Sequence, residues 1–170
     1  MDILEIKHRA LLGSETQETG HYRNMRLCFE LLSTARMIDL SCAQRLAPYQ
    51  LSESRFVILF LLQQEMEGLA PHLLAERAGI TRATLTGLLD GLERDGFILR
   101  NHSQTDRRSI LITLTDKGSE TAASLVADHS RWIASLTAPL NSQEKQLLGT
   151  LLTKIWTAAQ EPSDHDQSTR

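Results

Sequence analysis

Hydroxyl and guanidinium side chains cluster with very small residues in one short stretch, directly after residue 80 of this 170-residue chain. The members of this set are Thr81, Arg82, Ala83, Thr84, Thr86 and Gly87. Small residues let a helix approach base edges closely, while Thr oxygens and Arg nitrogens make the contacts in the major groove. The stretch therefore predicts the N-terminal part of a helix that reads double-stranded DNA.

The same helix must also have a side that packs in a core. Four leucines recur at positions i, i+3, i+4 and i+7, which is the buried stripe of an amphipathic helix: Leu85, Leu88, Leu89 and Leu92. A rotation of 100° per residue places Asp90 and Arg94 on the outward side with the small residues. Gly87 costs about 1 kcal/mol relative to Ala. It indicates either a close approach to a partner or a tolerated glycine.

The residues before this helix predict a second helix joined to it by a sharp turn. Pro71 suits a first helical turn, Gly79 suits the position after a helix end, and the Thr81 hydroxyl can cap the next helix. Two residues separate the helices. A connection this short is typical of a helix-turn-helix.

The residues after this helix predict a β-hairpin. Gly96 ends the helix, residues 97–100 form one strand, and the alternating residues 110–114 form the other. The connection over residues 101–109 is long and polar, as in a wing that meets phosphates or the minor groove. Its charged residues at the predicted tip are Asp106, Arg107 and Arg108.

Composition indicates a water-soluble globular protein. Hydrophobic residues make up 41% of the chain and the net charge is −3, with a mean hydropathy of −0.23. Residues 77–108 hold six arginines against four acids, a local balance of +2. We expect a cytoplasmic protein, because no apolar segment is long enough for a signal or a membrane span. Cys28 and Cys42 lie about 21 Å apart on one predicted helix, and we expect both to be reduced core thiols.

The flanking segments predict the rest of the architecture. Residues 20–48 and 116–160 form long amphipathic helices, and residues 50–115 form the winged helix-turn-helix domain. We expect a mainly α fold with a small β-hairpin wing. Residues 1–19 are expected to form a flexible arm or a short helix that packs on a partner chain, and residues 161–170 a disordered tail. The helices can complete a homodimer, which favours an inverted-repeat site, or they can form one monomeric bundle.

The chain resembles the MarR family of bacterial transcriptional regulators. The resemblance rests on LLAERAGITRATLTGLLDGLERDGFI followed by DRRSILITLTDKG. It implies that Thr81, Arg82, Thr84 and Thr86 lie at the DNA face. It also implies that Asp106 orients Arg108 into the minor groove, that Arg107 contacts phosphate and that His102 lies on the wing.

The resemblance further implies a repressor that a small aromatic or anionic effector releases from DNA. The effector would occupy a cleft between the dimer helices and the winged domain, and the candidate lining residues are Met37, Phe56 and Trp132. Ordinary core packing is the alternative for these three side chains. A regulator without an effector is also compatible with the sequence.

Two other classes of function compete with this interpretation. An enzyme is disfavoured, because the six histidines do not share metal-ligand spacing and the sequence has no phosphate loop, nucleophile elbow or cofactor motif. A protein-interaction module is the other rival, because a fold does not dictate function. The second helix of a protein-interaction module would be expected to expose aromatic residues or Met. The helix that follows residue 80 instead carries Thr and Arg on its outward side.

Overall fold

The computed structural model describes residues 3–13, 20–65, 67–102 and 110–160. Its helices are α1 (Ile6–Leu12), α2 (Gly20–Leu46), α3 (Glu53–Gln63), α4 (Pro71–Ala78), α5 (Arg82–Arg94), α6 (Asp116–Leu136) and α7 (Ser142–Gln160). Its strands are β1 (Ile98–His102) and β2 (Ile110–Leu114). This order confirms the predicted class, mainly α with one hairpin. The chain divides within α6 into two compact units, Met1–Ala122 and Ala123–Arg170.

Side-chain oxygens fix the starts of four helices. The hydroxyls of Ser52, Thr81 and Thr115 each accept a hydrogen bond from the backbone N–H three residues later, at distances of 2.9 to 3.3 Å. Asn141 and Glu144 form a reciprocal capping box with distances of 2.8 and 3.0 Å. These bonds satisfy amides that have no partner inside the helix. The sequence predicted the Thr81 cap from residue type alone.

The core of the first unit is built by α3, α5 and the hairpin. Its fully buried large side chains include Ile58, Leu59, Leu85, Leu92, Ile98 and Ile112. β1 and β2 pair antiparallel, and Leu69 exchanges both backbone hydrogen bonds with Ile112. The segment that precedes α4 is therefore hydrogen-bonded to β2, so the helix-turn-helix and the hairpin pack as one structural unit.

The first turn of α6 packs closely on the backbone that follows α5. The Thr115 hydroxyl donates to the Gly96 carbonyl at 2.8 Å, and the Thr115 N–H donates to the Phe97 carbonyl at 3.0 Å. A Cβ atom at Gly118 would lie 2.0 Å from that Phe97 oxygen. Only glycine fits there, which gives a physical reason for the Leu-Thr-x-x-Gly sequence at the end of the wing.

The wing strand is longer than the sequence predicted. β1 continues through Asn101 and His102, which pair with Leu111 and Ile110. The Asn101 side-chain amide also donates to the Thr113 hydroxyl at 2.9 Å. The prediction ended the strand too early because polar residues usually indicate a loop, whereas here they pair at the exposed end of a hairpin.

The N-terminal segment differs from the predicted flexible arm. Residues 6–12 form α1, and Leu4 and Leu12 are buried. Buried His8 stacks on the Phe29 ring with centroids 4.8 Å apart, and its Nδ1 lies 2.8 Å from the Ser33 hydroxyl. The amphipathic pattern therefore has a partner on α2 of the same chain. Residues 14–19 and the predicted tail over 161–170 lie outside the described residues.

The second unit contains a helix with no buried residue. Leu125 and Trp132 of α6 are buried, but every residue of α7 is exposed. The large apolar side chains exposed on α7, which we call the α7 apolar face, are Leu147, Leu148, Leu151, Leu152, Ile155 and Trp156. A face of this kind normally packs against another surface.

The two cysteines have different surroundings. Cys42 is buried as predicted, and burial raises the pKa of its thiol, with the carboxylates of Glu53 and Asp39 adding to the effect. Cys28 is exposed, so the prediction of a core thiol was wrong at that position. In the ranges that the structure describes, no helix is both long enough and apolar enough to cross a membrane.

Candidate nucleic-acid interface

The helix α5 has one buried side and one open side, as its sequence predicted. Leu85, Leu89 and Leu92 are buried, and Leu88 is half-buried. The exposed residues of α5 and its cap are Thr81, Arg82, Ala83, Thr84, Thr86, Gly87, Asp90 and Arg94. We call this set the α5 outward face. It brings together every candidate contact that the sequence placed on this helix.

The threonine hydroxyls on this face are already oriented by local hydrogen bonds. The Thr81 and Thr84 hydroxyl oxygens lie 2.9 Å apart. The Thr86 hydroxyl donates to the Arg82 carbonyl at 2.9 Å, so the lone pairs of its oxygen remain available. That oxygen can accept from the amino groups of cytosine or adenine, and the Thr86 methyl group can contact thymine.

Arg82 provides the charged group of this face. Its side chain is exposed, and no described residue forms an ion pair with it. A free guanidinium can bind guanine O6 and N7 with two parallel hydrogen bonds. Arg94 is also exposed, but its Nε lies 3.7 Å from the Asp95 carboxylate.

The face borders a groove of about 470 Å³ between the start of α4, the helix α5 and the wing. Leu85, Leu89 and Ile110 form its apolar lining. Its polar lining residues are His72, Arg82, Thr86 and Arg100. The groove separates α5 from the wing along part of its length.

An ion pair fixes the C-terminal end of α5 to α3. The Arg55 guanidinium donates to the Asp95 carboxylate at the end of α5, and also to the Gln50 carbonyl at 3.1 Å. The hydrogen bond from Arg55 holds the pKa of Asp95 below its usual value, and the charges of Arg55 and Arg94 act in the same direction. The helix is therefore anchored at both ends, by its cap and by this pair.

Arg100 is a feature of this site that the sequence reasoning missed. Its Nη2 donates to Asp90 Oδ1 at 2.6 Å, and its Nη1 lies 3.1 Å from Glu93 Oε2. The sequence counted these residues only as charges. The signal that could have found the contact is the pair of acids three residues apart on α5, followed by an arginine on the next strand.

The wing residues are only partly described. His102 lies at the end of β1 and is exposed. The predicted wing contacts Asp106, Arg107 and Arg108 lie outside the described residues, so their roles stay predictions.

The three candidate effector residues have different environments. Met37 is exposed and lines a groove of about 790 Å³ between α1 and α2. Phe56 belongs to the core of the first unit and is buried in α3. Trp132 is buried in the second unit, where its ring meets the edge of His129 with centroids 5.2 Å apart. Core packing therefore accounts for Phe56, whereas Met37 lies at a surface groove.

The described ranges show no group of three or more His, Cys, Asp or Glu side chains that could hold a metal ion. The histidines that the structure describes serve other contacts or lie at the surface: His8 stacks on Phe29, and His102 ends a strand. The groups that α5 exposes are hydrogen-bond donors and acceptors.

Comparison with known proteins gives related regulators. The family model described as MarR family matches residues 51–110. The transcriptional repressor YetL of Bacillus subtilis is 32% identical over 155 residues, which cover 88% of this chain and 93% of YetL. The regulator PecS of Dickeya dadantii is 31% identical over 121 residues, which cover 70% of this chain and 73% of PecS.

Solved structures show the same fold. The Streptococcus pneumoniae FabT structure in complex with DNA superimposes with a TM-score of 0.68 at 21% identity and covers 80% of this chain and 96% of that one. The MepR–DNA complex of S. aureus superimposes with a TM-score of 0.62 at 24% identity and covers 74% and 95%.

Proposed function

Because this chain belongs to the MarR family of transcriptional regulators, we propose that it represses transcription by binding an inverted-repeat operator as a homodimer. In this proposal α5 enters the major groove, with Arg82, Thr84 and Thr86 at the base edges. The wing lies beside it, with Asp106, Arg107 and Arg108 at the backbone and minor groove. Repression is proposed because YetL, a relative over most of the chain, is named a repressor.

The observation that carries the proposal is the division of α5 into a buried leucine side and an exposed polar side. Burial of Leu85, Leu89 and Leu92 holds the helix in its own domain. Its first turns then present hydroxyls, small residues and an arginine that has no ion-pair partner in the described part of the chain. Protein-binding surfaces are enriched in aromatic residues and Met, so this face suits a duplex better than a protein.

The α7 apolar face supports the homodimer. Six large apolar side chains on one helix remain exposed in the single chain, although solvated helices usually keep such residues covered. A second copy of the chain offers the same face, and two-fold symmetry would let the copies cover each other. That symmetry would present two α5 helices to successive turns of the major groove, about 34 Å apart.

We also propose that a small-molecule effector binds this protein. The family resemblance implies a small aromatic or anionic molecule, and the groove at Met37 has a volume of about 790 Å³, within the usual range for small-molecule sites. Its lining joins apolar residues to three cationic residues, Lys7, Arg9 and Arg36, and one carboxylate, Glu5. The excess of positive charge suits an aromatic acid. We propose no catalytic activity for this chain.

The proposal is tested by selecting DNA with the purified full-length protein from a library of random duplexes. We expect the enriched sequences to share an inverted repeat with half-sites about one helical turn apart. Enrichment of a single unrepeated motif would contradict the dimeric arrangement. No enrichment over random duplexes would contradict sequence-specific DNA binding itself.

A further inference from the structure

Arg100 connects the wing to α5 through two separate contacts. It lies in the middle of β1, opposite Ile112 of β2. Its Nη2 donates to Asp90 Oδ1 at 2.6 Å, and its Nη1 lies 3.1 Å from Glu93 Oε2. One guanidinium therefore spans two carboxylates of the neighbouring helix.

Asp90 and Glu93 lie side by side because residues three apart share a face of a helix. Two neighbouring carboxylates repel each other, and a cation between them removes that repulsion. Asp90 also belongs to the α5 outward face, one helical turn after Thr86. The planar guanidinium offers separate N–H groups in a fixed fork, so it can hold both carboxylates at once, whereas an ammonium is a single point charge.

The exposure of these side chains limits what the ion pairs contribute to folding. The side chains of Arg100, Asp90 and Glu93 are 31%, 57% and 38% exposed, and pairs of this kind add little to stability. Their geometric effect is larger, because they fix where β1 lies along α5. A surface built from two elements binds DNA well only when both elements stand at the correct spacing.

We propose that Arg100 is a positioning residue for DNA binding: its fork bridges Asp90 and Glu93 and holds the wing strand beside the α5 outward face. The inference rests on the proposed function, since it concerns the surface that binds DNA. Arg82 is the contrasting arginine, because it is exposed and no described residue pairs with it. Arg82 contacts DNA, and Arg100 sets the frame in which α5 and the wing do so.

The first test is Arg100→Lys in the full chain, because lysine keeps the charge but lacks the planar fork that holds the two carboxylates in fixed positions. The probes are a duplex recovered by random-library selection and an unselected duplex of equal length, each titrated by fluorescence anisotropy. We expect the ratio of selected-duplex to unselected-duplex affinity to fall about tenfold, which is the effect of losing one well-placed base contact. The salt dependence of binding should not change, because the charge is kept. An unchanged ratio would overturn the proposal.

The second test removes the two partners and keeps Arg100, as Asp90→Ala combined with Glu93→Ala. This variant loses two negative charges, so its affinity for the unselected duplex should rise. A positioning role predicts that the ratio of selected to unselected affinity nevertheless falls several-fold. If the affinity for both duplexes rises by the same factor, Arg100 acts only through charge and the proposal is wrong.

Arg131→Lys is the matched control. Arg131 donates to Asp128 of the same helix, α6, and is highly exposed, so the same substitution there alters an ion pair that does not join α5 to β1. We expect its affinity ratio and that of the wild type to agree. If the wild type binds both duplexes equally, both the proposed function and the positioning role of Arg100 are contradicted. A selective wild type with an equally selective Arg100→Lys variant would contradict this inference alone.

Discussion

α5 and α7 are both amphipathic helices, but they expose opposite sides. α5 buries its leucines in the first unit and exposes threonines, small residues and arginines. α7 exposes its leucines and its tryptophan, and none of its residues is buried. The chemistry of the exposed side indicates the kind of partner, since polar donors and acceptors match base edges and an apolar face matches another protein surface. The apolar side of α5 is therefore covered within its own unit, whereas the apolar side of α7 is exposed.

The largest expected effect comes from breaking the α7 apolar face. Leu151→Asp combined with Ile155→Asp places two charges where the dimer contact is proposed, so dimer dissociation should become more than about 100-fold easier. Sedimentation equilibrium measures this change directly. Thr153→Asp is the control, because Thr153 lies on the opposite side of α7 and donates to the Gly149 carbonyl. A stable dimer for the double variant would show that α7 is not the interface.

The anchoring of the first unit can be tested at its tightest glycine. Gly118→Ala forces a Cβ against the Phe97 carbonyl, which would lie 2.0 Å away. We expect a loss of about 3 kcal/mol in the free energy of unfolding, measured by urea denaturation at fixed protein concentration. Gly149→Ala is the matched substitution in α7, where a Cβ would meet nothing within 4 Å. Gly149→Ala should raise the free energy of unfolding by about 1 kcal/mol. Equal losses from the two substitutions would show that Gly118 is not held more tightly than Gly149.

Base readout by the α5 outward face is tested with Thr86→Val. Valine keeps the shape of threonine but removes the oxygen that would accept from a base, so preference at one base pair should weaken by about fivefold to tenfold. The salt dependence of binding should not change, because no charge is altered. Repeating the random-library selection with this variant measures the preference. A profile identical to that of the wild type would argue against a hydrogen bond from this residue.

A smaller effect is expected at the far end of α5, where pH acts through Asp95. Its folded pKa lies below its ordinary value of 3.8 because Arg55 donates to its carboxylate. The ion pair therefore contributes stability above about pH 5, and this contribution is lost as pH falls through the unfolded and then the folded pKa. The difference in unfolding free energy between wild type and Asp95→Asn should be constant near neutral pH and shrink below about pH 4. A difference that stays constant down to pH 3 would contradict this assignment.

Local signals in the sequence predicted a large part of the fold. The Thr81 cap, the glycine after α4 and the leucine spacing of α5 are set by residues a few positions apart, so residue types suffice to predict them. The paired Asn101 and His102 were assigned to a loop because their strand depends on partners in β2. The packing of α1 on α2 was missed for the same reason, since His8 and Ser33 lie 25 residues apart in sequence.

The candidate site was predicted well where it depends on one helix and less well where it depends on two elements. The exposure of Thr81, Arg82 and Thr86 follows from helical rotation alone. The bridge from Arg100 to Asp90 and Glu93 depends on how β1 lies against α5, and side-chain charge does not specify that distance. The apolar pattern of α7 predicted a buried stripe. The pattern alone does not distinguish cover by a second copy from cover within one bundle, and the structure leaves this face exposed among the described residues.

The most direct test of the central claim compares wild type and Arg82→Ala on one selected duplex and one unselected duplex at the same salt concentration. We expect the variant to lose about 10-fold to 100-fold in affinity for the selected duplex and only a few-fold for the unselected one. Folding should be unaffected, because the side chain is exposed and makes no ion pair with the described residues. Equal affinities of variant and wild type for the selected duplex would contradict DNA reading by the α5 outward face.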